Sequence, residues 1–496
     1  MDIHPEQTCI NRNWFNLLDL HTVLEILLFL DCKALSKVRQ VNVSLSIVAR
    51  TLNTRIPHWK TVHYEKEDGL LQMNFEDYDD TLEKIHANTT SFSNVGFLFC
   101  ESKQLNKKAL DKFASKLHPR CCLIGGCINA ILSVDNTSGK DSIIRETEHV
   151  FDERLRYTLS LSNMPDTVCA GFHVDVREEE EMSTALDSIP AYTPTSSFGE
   201  EGGREWKVII LLIDYRALKA STNQWIKSIQ RKFPKVQVVG GVLGGVKNTL
   251  CIVQNQKVKI YEGGIVGMCI GGNTIFSSQV SRGCREITPI TDVVETDDFL
   301  LKTLSINGVK RSAASLAAEC PTIVSVPFLG VSSDLSIGFT LYDVEGTTPD
   351  GAVLIRSDEL KSAKYVQVFD LDPETSKEDL KNRLDEARKK CASLSKQVLG
   401  GLLFTCNGRG SKLYADLDVE STIFAQAMPN IGLSGFFAGG EIGPEALAAA
   451  PPESEYRREA IIQGFTAVFG IFFVPKYYKP SGKIVDEAIA ARNLFF

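Results

Sequence analysis

From Val23 to Leu30 the chain is apolar at every position but Glu25, and beyond it apolar residues return at Leu35, Val38, Val41, Leu45 and Val48. Spacings of three and four predict two helices. Thr22 with Glu25 fits a capping box for the first, and Asp31 suits an N-cap for the second. A helix apolar on all sides asks for burial on several faces. A unit confined to residues 14 to 50 cannot supply them, so it is expected to dock on the following domain or on a partner.

After a polar connector over residues 61 to 94 the period changes. VGFLFC from Val95 reads as a buried strand, SKQLNKKALDKFASKL as an amphipathic helix, and RCCLIGG as a strand ending in glycines. The same order returns at WKVIILLID, STNQWIKSIQRKF and KVQVVGG, and again at VLGGLLFTC, VESTIFAQAM and NIGLSGF. In each copy a proline precedes the glycine by six residues: Pro119 and Gly125, Pro234 and Gly240, Pro429 and Gly435. Proline stops a helix and biases the chain toward an extended start, which gives the spacing a mechanical reason. The fold expected is a small all-helical N-terminal unit followed by a two-lobed mixed α/β body of repeated strand-helix-strand units. The lobes are placed at 95–275 and 285–475 and a tail at 476–496. Residues 175 to 205, rich in acid, Pro, Ser, Thr and Gly, are expected to form a mobile surface loop, and Glu378 to Gln397 a helix.

Composition narrows the function. The chain has 496 residues, a formal charge of -8 and thirteen Cys, an odd number. The acidic balance offers no general attraction to nucleic acid or to an anionic membrane, and no run approaches the length of a membrane span. The start lacks a signal-peptide pattern, so a reducing compartment, cytoplasm and nucleus, is expected.

The candidate chemistry sits between Val398 and Gly443, where two strand-like runs end in Asn407-Gly408-Arg409-Gly410 and Gly439-Gly440-Glu441. Such ends place polar groups at one edge of a sheet, where open α/β sheets bind ligands. Arg409 has two open roles: a pair with Glu441 that ties the loops together, or a fork donated to a carboxylate of a ligand or protein substrate. Asn407, Arg409 and Glu441 together form the candidate rim. Cys406 reads as a small buried residue, because every His lies at or before residue 173 and no base is near in sequence. Cys121, Cys122 and Cys127 lack zinc-site spacing, and GGVLGGV and GGIVGMCIGG lack the Gly-Lys-Ser/Thr of a phosphate loop. No metal, cofactor or catalytic role is expected.

The run NLLDLHTVLEILLFLDCKALSKVRQVNVSLSIVA resembles an F-box through Leu20, Ile26, Leu30, Asp31, Leu35 and Val41. His21, Asn42 and Leu45 stand where proline, cysteine and tryptophan are usual. The segments WKVIILLID, GGLLFTCNGRG and IGLSGFFAGGEIG resemble the two-part FIST sensory domain. The resemblance implies an F-box over 14–60 that docks on Skp1 of the cullin-RING ligase core through Leu20, Ile26, Leu30, Leu35 and Val41. It also implies a non-catalytic FIST body that recruits a protein substrate for ubiquitination. The alternative it implies is a small-molecule sensor, amino acids having been proposed as ligands, whose ligand gates partner binding.

Overall fold

A computed structural model of the chain describes residues 30, 34, 37 and 56–475, apart from 67–73, 90, 102–104, 138–141, 148–153, 177–181, 183–184, 193–204, 245–248, 307, 319–327, 337, 356–357, 394–395 and 447–458. The apolar runs met in sequence are buried on both faces, as strands covered on two sides must be. In Val95–Glu101, Phe97 and Phe99 point into one core while Leu98 and Cys100 point into another. In Trp206–Asp214, Val208, Ile210 and Leu212 face the first core, and Ile209, Leu211 and Ile213 face a third. Four layers result: helices, a six-stranded sheet, an 11-stranded sheet, and helices again.

The six-stranded sheet runs in the order His58–Lys66, Leu155–Asn163, Val95–Glu101, Cys122–Cys127, Leu250–Gln254, Lys257–Tyr261. The 11-stranded sheet runs Ile275–Ser281, Ala467–Pro475, Lys396–Cys406, Leu433–Pro444, Gln237–Leu243, Trp206–Asp214, Ile265–Gly272, Thr167–Val174. The strands Ile131–Asp135 and Ala460–Gln463 also pair with Leu433–Pro444, and Ile143–Glu146 pairs with Ile131–Asp135. A nine-stranded antiparallel sheet is built from residues 284–371. The middle sheet thus takes strands from both expected lobes. Trp59 is wedged between the two large sheets against Phe97 and Phe472, over a glycine: a Cβ on Gly400 would lie 2.0 Å from the indole.

The expected fold class is corrected. Among the described residues there are twenty-six strands and seven α-helices, and the first elements are the strand His58–Lys66 and the helix Phe75–Ala87. Of the expected N-terminal helical unit only Leu30, in a bend, and Ala34 and Lys37, in helical conformation, are described. Residues 14–55, apart from Leu30, Ala34 and Lys37, lie outside the described residues, as does the tail beyond 475. The body is a stack of predominantly antiparallel sheets, in which the strand-helix-strand units are a minority. Short turns explain the difference. Leu250–Gln254 returns as Lys257–Tyr261 through Asn255 and Gln256, both at positive φ (53° and 61°), the two-residue turn that fits a twisted hairpin. Within the stretch expected to be a mobile loop, Met182, Ala185 and Ile189 are buried beside Trp206.

Three strand pairs among those described are parallel, and each belongs to one of the repeated units: Val95–Glu101 with Cys122–Cys127, Trp206–Asp214 with Gln237–Leu243, and Lys396–Cys406 with Leu433–Pro444. Their helices, Lys107–Lys116, Thr222–Lys232 and Val419–Ala427, cover the outer faces. The glycine that follows each proline stands opposite a leucine: Gly125 opposite Leu98, Gly240 opposite Leu211, Gly435 opposite Leu403. A Cβ on those glycines would lie 2.0, 1.9 and 1.8 Å from the leucine carbonyl oxygen. Backbone cannot swing aside as a side chain can, so the position admits glycine alone. Gly435→Ala is expected to destabilise the body by about 3 kcal/mol, at the upper end for overpacking. Gly464, which has nothing within 4 Å of a built Cβ, serves as the control, and Gly464→Ala should stay within about 0.5 kcal/mol of the wild type. Equal denaturation midpoints for the two variants would refute the backbone-contact argument.

Candidate functional site

Strand Lys396–Cys406 ends in a turn closed by Arg409 N–H donating to the Cys406 carbonyl at 2.9 Å, and a short helix, Gly410–Tyr414, follows. The glycines around Arg409 let the chain fold back and carry the guanidinium inward, where it is 0% exposed. Its Nε donates to Glu420 Oε1 at 2.5 Å, its Nη2 to the Tyr414 hydroxyl at 2.9 Å and its Nη1 to the Arg282 carbonyl at 2.9 Å. Tyr414 donates to the same Glu420 oxygen at 2.9 Å. Burial works against the cation, but Glu420, Tyr414 and Asp379 outweigh it, and Arg409 stays protonated. Glu420, also 0% exposed, lies in the first turn of Val419–Ala427, where the helix dipole favours negative charge. The partner of Arg409 is therefore Glu420, and the fork that could have met a ligand carboxylate is already engaged.

Glu441 follows a register shift in Leu433–Pro444 and is fully buried. Its Oε2 accepts the Thr466 N–H at 3.2 Å and the Thr466 hydroxyl at 2.9 Å, while Oε1 has no partner. Burial pushes it up to about 8, against the pull of Thr466 and Arg409. Cys406 is pushed up to about 12 by burial and by Glu441, so its thiol is a weak nucleophile. Glu146, from the hairpin strand Ile143–Glu146, reaches across to the other FIST-like half: Oε1 accepts the Ser421 N–H at 2.6 Å, and its own N–H donates to Asp418 at 2.5 Å. Burial, then the nearby Glu420, raises Glu146 to about 8.

Asn407 points elsewhere. Its N–H donates to the Ala438 carbonyl at 2.9 Å. A Cβ on Gly244 would lie 3.4 Å from Asn407 Nδ2 and 2.9 Å from Asn129 Nδ2, so two carboxamides meet over a glycine at the ends of three strands. Asn407 Oδ1 is buried without a partner. The structure thus separates the three rim residues: Arg409 and Glu441 lie inside, and Asn407 is half-buried on a turn at the strand ends. Of the positions assigned to Skp1 docking, Leu30 is described, half-buried in a bend, while Leu20, Ile26, Leu35 and Val41 lie outside the described residues.

Sequence reasoning missed a cleft of about 1220 Å³ between the strand Ile275–Ser281, the start of Gln237–Leu243 and the helix Pro373–Ser393. It is lined by residues some 150 positions apart, such as Gln237 and Lys389, which no local pattern links. Its floor is fixed from beneath. Arg282 N–H donates to Asp379 at 2.9 Å, the Ser376 hydroxyl donates to the Gly283 carbonyl at 3.1 Å, and Arg409 holds the Arg282 carbonyl. Gly283 sits at φ +70°, with Ser376 2.2 Å from a built Cβ. Arg409 therefore serves the cleft as a positioning residue.

Arg409→Met leaves the Glu420 carboxylate buried and unpaired, so a loss of about 3–5 kcal/mol is expected in chemical denaturation. The double variant Arg409→Met with Glu420→Leu should cost less than the two single variants added, and strict additivity would contradict the pair. A second expectation concerns pH. Glu441 binds its proton more tightly folded than unfolded, so its contribution to stability is fully present below about 4.5 and is lost as pH rises through about 8. Glu441→Gln removes that term. The melting temperature of the variant relative to wild type should rise between pH 5 and pH 8.5, and a constant difference would count against a neutral Glu441.

Comparison with known proteins places the geometry. Uncharacterized proteins of Mycobacterium tuberculosis and Mycobacterium bovis are 26% identical to the chain, over 263 and 262 residues respectively. The alignments cover 51% of the chain and 64% of each relative, so the chain spans less than two thirds of the length of these curated relatives. Residues 94–305 match the FIST N domain and residues 301–444 the FIST C domain. The chain carries a two-part FIST domain.

Proposed function

We propose that the chain is the substrate-recognition subunit of a Skp1-cullin-F-box ubiquitin ligase. In this reading the segment 14–60 docks on Skp1 through Leu20, Ile26, Leu30, Leu35 and Val41, and the FIST body holds a protein substrate. Ubiquitin transfer belongs to the E2 enzyme and the RING subunit, with this chain supplying proximity and orientation in the cytoplasm and nucleus. The observation that carries the reading is the F-box resemblance of residues 16–49, joined to a body whose large cleft is lined from both FIST parts. A small-molecule sensor is the second reading, favoured by the unpartnered Asn407 beside Asn129 and Gly244.

Purified intact chain should capture purified Skp1 and cullin, and a variant carrying Ile26→Asp and Leu30→Asp should not, since aspartate on a buried docking helix is an unpaired charge. Circular dichroism checks that the variant keeps its body. Failure of the intact chain to capture Skp1 would sink the ligase reading. Ligand-induced thermal shift, lost in Asn407→Ala, would then be the outcome expected of the sensor.

A further inference from the structure

The 11-stranded sheet ends at Ile275–Ser281, which pairs on one side with Ala467–Pro475 and, among the described residues, has no strand on the other. On that open side the Gln237 side chain stands in for a strand. Its Nε2 donates to the Phe276 carbonyl at 3.1 Å, and its Oε1 accepts the Ser278 N–H at 2.8 Å and the Ser278 hydroxyl at 2.9 Å. One carboxamide thus occupies the place of one peptide unit. In an antiparallel strand the groups facing one side belong to alternate residues. The Ser278 carbonyl and the Val280 N–H therefore face the same side as the Ser278 N–H, with no strand of the described residues opposite. The cleft runs along this edge, and within its lining Gln279 Oε1 is buried without a hydrogen-bond partner. A row of main-chain donors and acceptors of this kind is a template for another extended chain.

The charge around the cleft is polarised. The helix Pro373–Ser393 is tied at its start to the end of the strand, through Asp379 to Arg282 and Ser376 to Gly283, and so runs back toward the strand's beginning. It brings Lys389 and Lys390 there, and Lys235 stands on the facing wall. Arg383 is matched within its own helix by Asp379 at 3.4 Å and Glu386 at 3.8 Å. The pair of Lys235 with Glu205 lies at the surface and contributes little. At that end of the cleft the three lysines outnumber Glu386 and Glu445, in a chain whose formal charge is -8, and they complement an acidic side chain.

We propose that the cleft takes an extended peptide segment of a partner protein, added as a strand to Ile275–Ser281 beyond Gln237, with an acidic residue at the end marked by Lys235, Lys389 and Lys390. That the partner is a ubiquitination substrate rests on the reading above; the peptide site itself does not. At about 3.3 Å per residue the seven-residue edge holds a comparably short segment.

The test selects short random peptides, by display, on the intact chain. Enriched peptides should carry acidic residues and slow amide exchange at Val280, whose N–H faces the open side. Val280→Pro removes the N–H that faces the cleft and spares the ladder to Ala467–Pro475, where proline is tolerated on an open edge. It should weaken the selected peptides about tenfold or more, as should Lys389→Glu with Lys390→Glu, whose exposed positions leave folding untouched. No enrichment, binding indifferent to both variants, or protection elsewhere overturns the proposal. So does protection of the Val280 amide without peptide, whether constant, as when another part of the chain covers the edge, or rising with protein concentration, as with a second copy. Skp1 capture by the same variants separates the two ideas: a chain that binds peptide through this edge yet captures no Skp1 keeps the site and loses the ligase reading.

Discussion

The guanidinium of Arg409 is the constraint on which the second half of the body depends. A cation with no exposure survives only if every direction of its fork is met, and here the directions lead to three pieces of chain: Glu420 on a helix, Tyr414 at the end of the short helix that follows Arg409, and the Arg282 carbonyl at the floor of the cleft. Removing one partner leaves a charge in low dielectric, which is far costlier than the pair is stabilising. The turn, the helix and the cleft floor are thereby held in one mutual position. The rigidity of the cleft follows from a group that takes no part in lining it.

A second interlock joins the two FIST parts. The hairpin Ile131–Asp135 and Ile143–Glu146 adds to Leu433–Pro444, and the Glu146 carboxyl meets the first turn of Val419–Ala427. On its other half Leu433–Pro444 pairs with Gln237–Leu243, so the sheet passes from one part to the other without a break. Hinge motion between parts joined by main-chain ladders would break hydrogen bonds buried in the core, each expensive to leave unmade. A recognition surface built across this junction is presented to its partner already formed, which lowers the ordering cost of binding.

How far the sequence announced this depends on the range of the interaction involved. The proline-to-glycine spacing was readable because its cause is local, a helix stop followed by a strand of fixed length, and the same glycines prove to lie against Leu98, Leu211 and Leu403. The antiparallel majority was not, since a short apolar run looks alike whether its neighbour is parallel or not. Arg409 stands out in the sequence by its glycines, but Glu420 and Glu441 both lie within reach in sequence. Choosing between them needs the direction of the turn after Cys406. Asn407 and Arg409 are two residues apart, yet the turn leaves one half-buried against Gly244 and carries the other into the core. The cleft left no local trace at all.

The buried acids complete the electrostatic picture. Glu146, Glu420 and Glu441 share the interior with Arg409, and one cation cannot balance three carboxylates in low dielectric. Burial holds Glu146 and Glu441 toward their protonated forms, leaving Arg409 and Glu420 as the charged pair. This cluster is close to neutral, and the charge that remains in it positions the turn, the helix and the strand end around it. The unsatisfied main-chain groups and the uneven charge lie instead at the open edge of Ile275–Ser281, on the surface. A cluster whose charge is matched internally, beneath an edge with free main-chain groups, is the arrangement that the proposed strand addition requires.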